Sequence, residues 1–227
     1  MTRTRLDLSA HTQEEAAAKL AEVLGALGPG EEAQFSTAAD PRGVIRALMG
    51  AHWGHFGWAP LHEGAGEWLA VLTRRSAGPP ISLAAMMEED HRRCDALFAE
   101  AEEAARKGDA ARTRVRFGWL DVGMEHHFRM EEEGFFAQVD AMVGMPGAGP
   151  VAVMRDEHQQ MRGLLRRMAG AVEGERLEEF LSAADTMIYL MEQHNMKEEH
   201  MLYPMAEEAI AVAGEGMDEA LKRIMLL

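Results

Sequence analysis

The chain has 227 residues, with 23 Lys and Arg against 38 Asp and Glu, which gives a formal net charge of −15. A surface with this excess of acidic groups repels phosphate backbones and anionic lipid headgroups. We therefore expect no nucleic-acid partner and no membrane partner. The single cysteine, Cys94, excludes an internal disulfide and a cysteine-rich zinc site. No stretch reaches the roughly 20 apolar residues of a membrane span, and no secretory signal is recognisable. We therefore predict a cytoplasmic location.

The composition changes near residue 78. The segment RSAGPP at 75–80 combines glycine with a proline pair, as linkers do. The residues before 78 carry 7 Lys and Arg and 9 Asp and Glu, a net −2, so a net −13 belongs to the second part. We predict domains at 1–77 and 81–212 and a short tail helix at 213–227.

The first part alternates strand-forming and helix-forming segments in the order β-α-β-α-β-β. The segments are TRLDLSA, HTQEEAAAKLAEVLGAL, EEAQFSTAA, PRGVIRALMGAHW, FGWAPLHEG and GEWLAVLTRR. The first helix has the clearest pattern, because one stripe of it is apolar and GPG ends it. Its stripe comprises Ala16, Leu20, Val23, Leu24 and Leu27. This order predicts a two-layer α+β domain.

The second part is rich in the helix formers Ala, Leu, Met, Glu and Arg. Helices are predicted at 81–107, 110–141, 150–172 and 175–211, separated by KGDA, GMPGAGP and EGE. Four helices joined by short loops predict an all-α, up-down four-helix bundle.

An offset of 67 residues relates the helical part to itself. It maps His91 onto His158, His127 onto His194, and Glu131 onto Glu198. We interpret the bundle as two copies of a helix pair.

The repeat predicts a metal site. Within each copy, His and Glu four residues apart lie on one helix face, one turn apart. The other helix of each copy adds one His, so four imidazoles and two carboxylates converge inside the bundle. These ligands suit iron or zinc, and a bridging pair of carboxylates favours two octahedral ions, of which iron is the commoner.

The same residues resemble the hemerythrin-like HHE cation-binding family over residues 81–212. The resemblance is carried by His91, by HFRME, by His158 and by HNMKEEHMLYP. It implies a non-haem centre of two Fe ions, bridged by carboxylates and an oxo or hydroxo group. The implied metal ligands are His91, His127, Glu131, His158, His194 and Glu198.

Two positions depart from the classical oxygen carriers of that family. Arg162 stands where those proteins have a further histidine, and Glu199 stands at the place of an aspartate ligand. Four histidines in place of five leave the metals more open. The chain is in this respect more similar to the members that repair iron centres or respond to nitric oxide.

The first part resembles the SirA/TusA-like fold of sulfur carriers, in particular a small domain that precedes hemerythrin-like domains. Those carriers use a cysteine near the start of the first helix, and the corresponding stretch here, LSAHTQEE, has none. Sulfur transfer is therefore not expected.

These features predict a di-iron protein that binds O₂, NO or a peroxide species for sensing, storage or detoxification. The first domain would then contact a protein or redox partner. Two alternatives stay open. One is an enzyme that reduces NO or peroxide, or an iron donor for repair of iron–sulfur clusters; the other is a metal-free scaffold.

Several residues near the predicted ligands are harder to assign. Helix geometry favours Glu198 over Glu199 as the bridging carboxylate, and places His126 and His200 off the ligand face. Packing is the first interpretation for the others, with a metal or hydrogen-bonding role as the alternative: Cys94, Tyr189 and Tyr203. The acidic runs EEAQ, EEDH and MEEEG are predicted to be mostly solvated faces, apart from Glu131. A second site at His52 and His55 is not expected.

Overall fold

A computed structural model describes residues 4–64, 66–75, 78, 82–145 and 147–227. The chain divides into two compact units, Met1–Pro80 and Ile81–Met225. Most of the linker predicted at 75–80, and the helix start predicted at 81, lie outside the described residues. Within the described ranges, no helix combines the length and the apolar character needed to cross a membrane.

The first unit has the predicted order of elements. They are β1 (Thr4–Asp7), α1 (Gln13–Ala26), β2 (Glu32–Thr37), α2 (Arg42–His52), β3 (Phe56–Gly64) and β4 (Glu67–Arg74). The sheet order is β1-β2-β4-β3, in which β1 runs parallel to β2 and the other pairs are antiparallel. The prediction of an α+β unit is confirmed.

Helix α1 begins at a capping box. The Thr12 hydroxyl accepts from the Glu15 N–H, and the Glu15 carboxylate accepts from the Thr12 N–H at 2.9 Å. Three residues of the predicted stripe, Ala16, Leu20 and Leu24, are buried, and its other two are half-buried. Through this stripe α1 packs against α2 and β4.

We expect Thr12→Ala to lower the free energy of unfolding of the first unit by about 1 kcal/mol, because it removes the cap of α1. Three of the four tryptophans, Trp53, Trp58 and Trp68, belong to this unit, so urea unfolding followed by tryptophan fluorescence measures the loss. Thr12→Ser keeps the hydroxyl and is the control. An equal loss in both variants would show that the cap is not its source.

The second unit is helical. Its elements are α3 (Leu83–Arg106), α4 (Ala110–Glu132), α5 (Phe136–Val143), α6 (Pro150–Glu173), α7 (Leu177–Lys197), a π-helical turn (Glu198–Leu202), α8 (Tyr203–Val212) and α9 (Met217–Ile224). The long helices α3, α4, α6 and α7 close a ring, since α3 packs on α4, α4 on α6, α6 on α7, and α7 on α3. This is the predicted four-helix bundle. The helix predicted in the tail is α9.

Two of the predicted helices are not continuous. The segment 110–141 breaks after Glu132, because Phe135 and Phe136 turn fully into the interior. A Cβ at Gly134 would collide with the carbonyl oxygen of Met130, so the break needs glycine. The segment 175–211 is interrupted by the π-helical turn. Both interruptions adjoin a predicted ligand, Glu131 or Glu198.

The interior of the bundle is rich in methionine. Its buried methionines include Met87, Met124, Met154, Met161, Met168, Met187 and Met191. Methionine is unbranched and adapts its shape to irregular gaps. These side chains give the centre of the bundle an apolar, adaptable lining.

Candidate metal centre

All six predicted ligands lie in the interior of the bundle. Helix α3 supplies His91, α4 supplies His127 and Glu131, α6 supplies His158, α7 supplies His194, and the π-helical turn supplies Glu198. All six residues are buried, and each is at most 4% exposed. Burying two carboxylates without a compensating charge would be strongly unfavourable. The cluster therefore calls for positive charge at its centre.

The six side chains form two overlapping groups. One comprises His91, His127, Glu131 and Glu198, and the other comprises Glu131, His158, His194 and Glu198; within each group the ligand atoms lie within 4.8 Å of one another. Each histidine belongs to one group, whereas both glutamates belong to both. This arrangement suits two cations that share two carboxylates.

The Nε2 atom of each of the four histidines in the cluster faces a carboxylate oxygen. The separations are 2.9 Å from His194 to Glu198, 3.0 Å from His158 to Glu131, 3.2 Å from His91 to Glu198, and 3.7 Å from His127 to Glu131. Nitrogen and oxygen donors thus alternate around one small volume.

A second set of carboxylates lies behind the histidines and accepts from their Nδ1 atoms. The pairs are His127 with Asp90 at 2.9 Å, His194 with Glu157 at 2.9 Å, His158 with Glu132 at 2.7 Å, and His91 with Glu199 at 2.8 Å. The 67-residue offset maps Asp90 onto Glu157 and Glu132 onto Glu199, so this set follows the repeat as well. A carboxylate at Nδ1 fixes the proton there and leaves the Nε2 lone pair for a metal.

The nitrogen and oxygen atoms at the centre of the cluster are arranged to bind a metal rather than to form hydrogen bonds with one another. With Nδ1 protonated, the Nε2 lone pairs of neutral His158 and His194 oppose each other at 3.1 Å. Nε2 of His127, Oε2 of Glu131 and Oε1 of Glu198 make no aligned hydrogen bond within the described residues. Cations between these atoms would satisfy all of them.

Protons can take the place of the cations. Burial lowers the pKa of His91 and of His194, but the neighbouring carboxylates, above all Glu198, outweigh it and raise these values to about 9 and about 10. The pKa of Glu198 is lowered by His194 and His91 against the effect of burial. Metal binding to this cluster therefore releases protons.

Basic side chains neutralise three of the outer carboxylates. Arg93 binds Asp90 at 2.8 Å, and Lys197 pairs with Glu157. Arg162 binds Glu132 at 2.8 Å; burial raises the pKa of Glu132, but hydrogen bonds from His158 and Arg162 outweigh it and lower it to about 2. Arg162 also binds Glu125, so its guanidinium lies outside the two groups of ligands. Its role is to hold Glu132.

The acidic runs were predicted to be mostly solvated with Glu131 as the one named exception, and the structure adds Asp90 and Glu132 as exceptions. Asp90 is held between His127 and Arg93, and Glu132 between His158 and Arg162, so neither faces only water. The repeat contained the missing signal, because both positions are acidic in both copies.

The other uncertain residues lie outside both ligand groups. Glu199 contacts the outer nitrogen of His91, and His200 is exposed, with Nδ1 at 2.9 Å from the Met196 carbonyl. His126 is buried. The thiol of Cys94 is buried beside Arg93, and burial raises its pKa to about 12. Within the described part of the chain, His52 and His55 join no metal-binding cluster.

The two tyrosines differ. Tyr189 is 66% exposed, so it cannot serve the buried cluster. Tyr203 is fully buried, and its hydroxyl donates to Glu131 at 2.8 Å and reaches Glu198 at 3.2 Å and His91 Nε2 at 3.0 Å. The carboxylates and burial raise its pKa, so it is a neutral phenol. Sequence spacing left the role of this residue open and favoured packing, because five residues along a regular helix correspond to about 140° of rotation from Glu198.

We expect Glu157→Gln to weaken metal binding about 10- to 100-fold, because the amide cannot hold His194 Nδ1–H as a carboxylate does. Competition with a chromophoric chelator measures this change. The control is Asp156→Asn, which alters the adjacent, exposed acid. Unchanged affinity in Glu157→Gln, or an equal loss in the control, would contradict a role for the outer carboxylate.

The fold and the site together define a class of protein: a four-helix bundle whose interior presents two histidine-carboxylate groups, each able to hold a metal ion. The model of the hemerythrin HHE cation-binding domain matches residues 82–206, more than half of the chain. The chain belongs to this family, and it is accordingly a metal-binding protein. No curated protein and no solved structure matches the chain. The family match begins at the N-cap of α3, Ser82, so the SirA/TusA-like resemblance of the first unit stays a prediction.

Proposed function

We propose that each of the two groups holds one iron ion and that the protein is a non-haem di-iron protein. The observation that carries this proposal is the sharing of Glu131 and Glu198 between the groups, deep inside the bundle. Two ferrous ions bring four positive charges to two carboxylates, which leaves a net positive centre for anionic ligands. Mixed imidazole and carboxylate ligands that leave coordination positions open favour non-haem iron.

The function supported best is binding of O₂, NO or a peroxide species, for sensing, storage or detoxification. Each group offers two imidazoles and two shared carboxylates, which is four of the six positions of an octahedral ion. Iron at this site supplies the redox chemistry that these ligands require. The chain's own residues orient the imidazoles through the outer carboxylates and exclude water with a methionine-rich lining.

The open positions also favour a second candidate function. A centre with four histidines can reduce NO or peroxide, or release iron for the repair of iron–sulfur clusters. Under either function, we propose that the first unit contacts a protein or redox partner.

Spectra of the ferrous protein, mixed anaerobically with NO and separately with O₂ or hydrogen peroxide, test these candidates. Binding without turnover gives stoichiometric spectral changes that reverse when the ligand is removed. Formation of N₂O or continuous consumption of peroxide would instead establish the enzyme. Absence of any spectral change in the iron-loaded protein would contradict both.

A further inference from the structure

One hydroxyl group lies among the proposed ligand atoms without being counted as a ligand. The Tyr203 hydroxyl is 2.8 Å from Glu131 Oε1, 3.0 Å from His91 Nε2 and 3.2 Å from Glu198 Oε2. All three atoms belong to residues of the group that also contains His127. The hydroxyl therefore adjoins one of the two metal positions.

The π-helical turn places the hydroxyl there. A regular helix would put Tyr203 about 140° around the axis from Glu198, on a different face. The wider turn at Glu198–Leu202 brings the two side chains within hydrogen-bonding distance. Such single π-helical turns often occur at functional sites, because they re-aim one side chain within an otherwise regular helix.

The repeat shows that the hydroxyl is a one-sided feature. The residue 67 positions earlier is Phe136. Its ring lies 5.7 Å from the ring of His158, and the ring of Tyr203 lies 5.7 Å from the ring of His91. The two aromatic rings thus occupy equivalent places beside the two ligand groups, and of these two rings the one beside His91 carries a hydroxyl.

We propose that Tyr203 is the hydrogen-bond donor to the small ligand of the centre and directs that ligand to the half with His91 and His127. The inference rests on the proposed di-iron function and specifies it further. Without a metal the phenolic proton is donated to Glu131. Metal binding to His91 Nε2 and to the two carboxylates would draw on the lone pairs that the hydroxyl now faces, so the proton could turn to a bound ligand. A buried phenol beside an open position favours ligands that accept a hydrogen bond.

Azide is a suitable probe, because it is a small anion that carries no proton of its own. We expect Tyr203→Phe to retain the iron content and the helical signal of the wild type. In the ferric state, the variant should bind azide about tenfold more weakly than the wild type, or weaker still. Tyr189→Phe is the matched control, since the chain has only these two tyrosines and Tyr189 is exposed. Its azide affinity should equal that of the wild type.

A vibrational measurement gives a second readout. In the wild type, Raman bands of bound azide should shift between H₂O and D₂O, and in Tyr203→Phe this shift should vanish. Equal azide affinities in Tyr203→Phe and the wild type would overturn the proposal. The proposal would also be overturned if Tyr203→Phe lost its iron, or if the azide-free variant lost an absorption band that the azide-free wild type has. The tyrosine would then be a metal ligand. A wild type without iron would refute the proposed function itself.

Discussion

Replacement of Glu131 by glutamine is expected to reduce the iron content from about two ions per chain to nearly none. Glu131 belongs to both ligand groups and is fully buried. The substitution preserves its size but removes one of the two negative charges that the proposed ions share. Each position then has one anionic ligand, and the attraction that offsets burial of the cations is lost. Metal analysis of protein loaded anaerobically with ferrous iron measures the change.

Glu133→Gln is the matched control, because Glu133 is exposed and lies two residues further along the chain. It should keep the iron content of the wild type. A contrasting variant is His127→Ala, whose histidine belongs to one group and whose loss should remove about one ion. Retention of both ions by Glu131→Gln would contradict the shared-carboxylate arrangement.

Loading with ferrous iron is expected to raise the melting temperature of the helical unit by about 10 °C. Binding that is restricted to the folded state stabilises it by about 4 kcal/mol at a thousandfold excess over Kd, and 1 kcal/mol corresponds to roughly 2–4 °C for a chain of this size. Thermal unfolding followed by circular dichroism at the helical band measures the shift, since the four long helices all lie in this unit.

Glu131→Gln serves as the control for this experiment, because iron that binds elsewhere on the acidic surface would stabilise it equally. Its melting temperature should not respond to iron. An equal rise in the variant and the wild type would show that the stabilisation does not come from the buried cluster. If iron leaves the melting temperature of the wild type unchanged, iron does not bind the folded state in preference to the unfolded state.

The overall fold could be predicted from sequence because its signals are local and repeated. The apolar stripe of α1, with its capping residues, defines one helix, and the glycine-rich segments between 107 and 177 separate the long helices. The interruptions could not be predicted. The break after Glu132 depends on the burial of Phe135 and Phe136, which is a tertiary effect, and the π-helical turn has no signature in composition.

The candidate site was predictable in part. The 67-residue offset selected six residues that the structure brings together in the interior. The outer carboxylates were missed, because an acidic residue next to a ligand on a helix looks like an ordinary solvated position. The pattern of a single helix does not distinguish Asp90 and Glu132 from such positions, because their partners lie on other helices. Only the acidic residues 67 positions later gave a signal in the sequence. Tyr203 was undecided for the same reason, since only the π-helical turn brings it to the cluster.

The most direct test of the account is a metal count on protein prepared without oxygen, for the wild type and for His158→Ala. His158 belongs to one of the two groups, so the account predicts about two irons per chain in the wild type and about one or fewer in the variant. A wild type that contains one zinc ion per chain, or no metal, would contradict it.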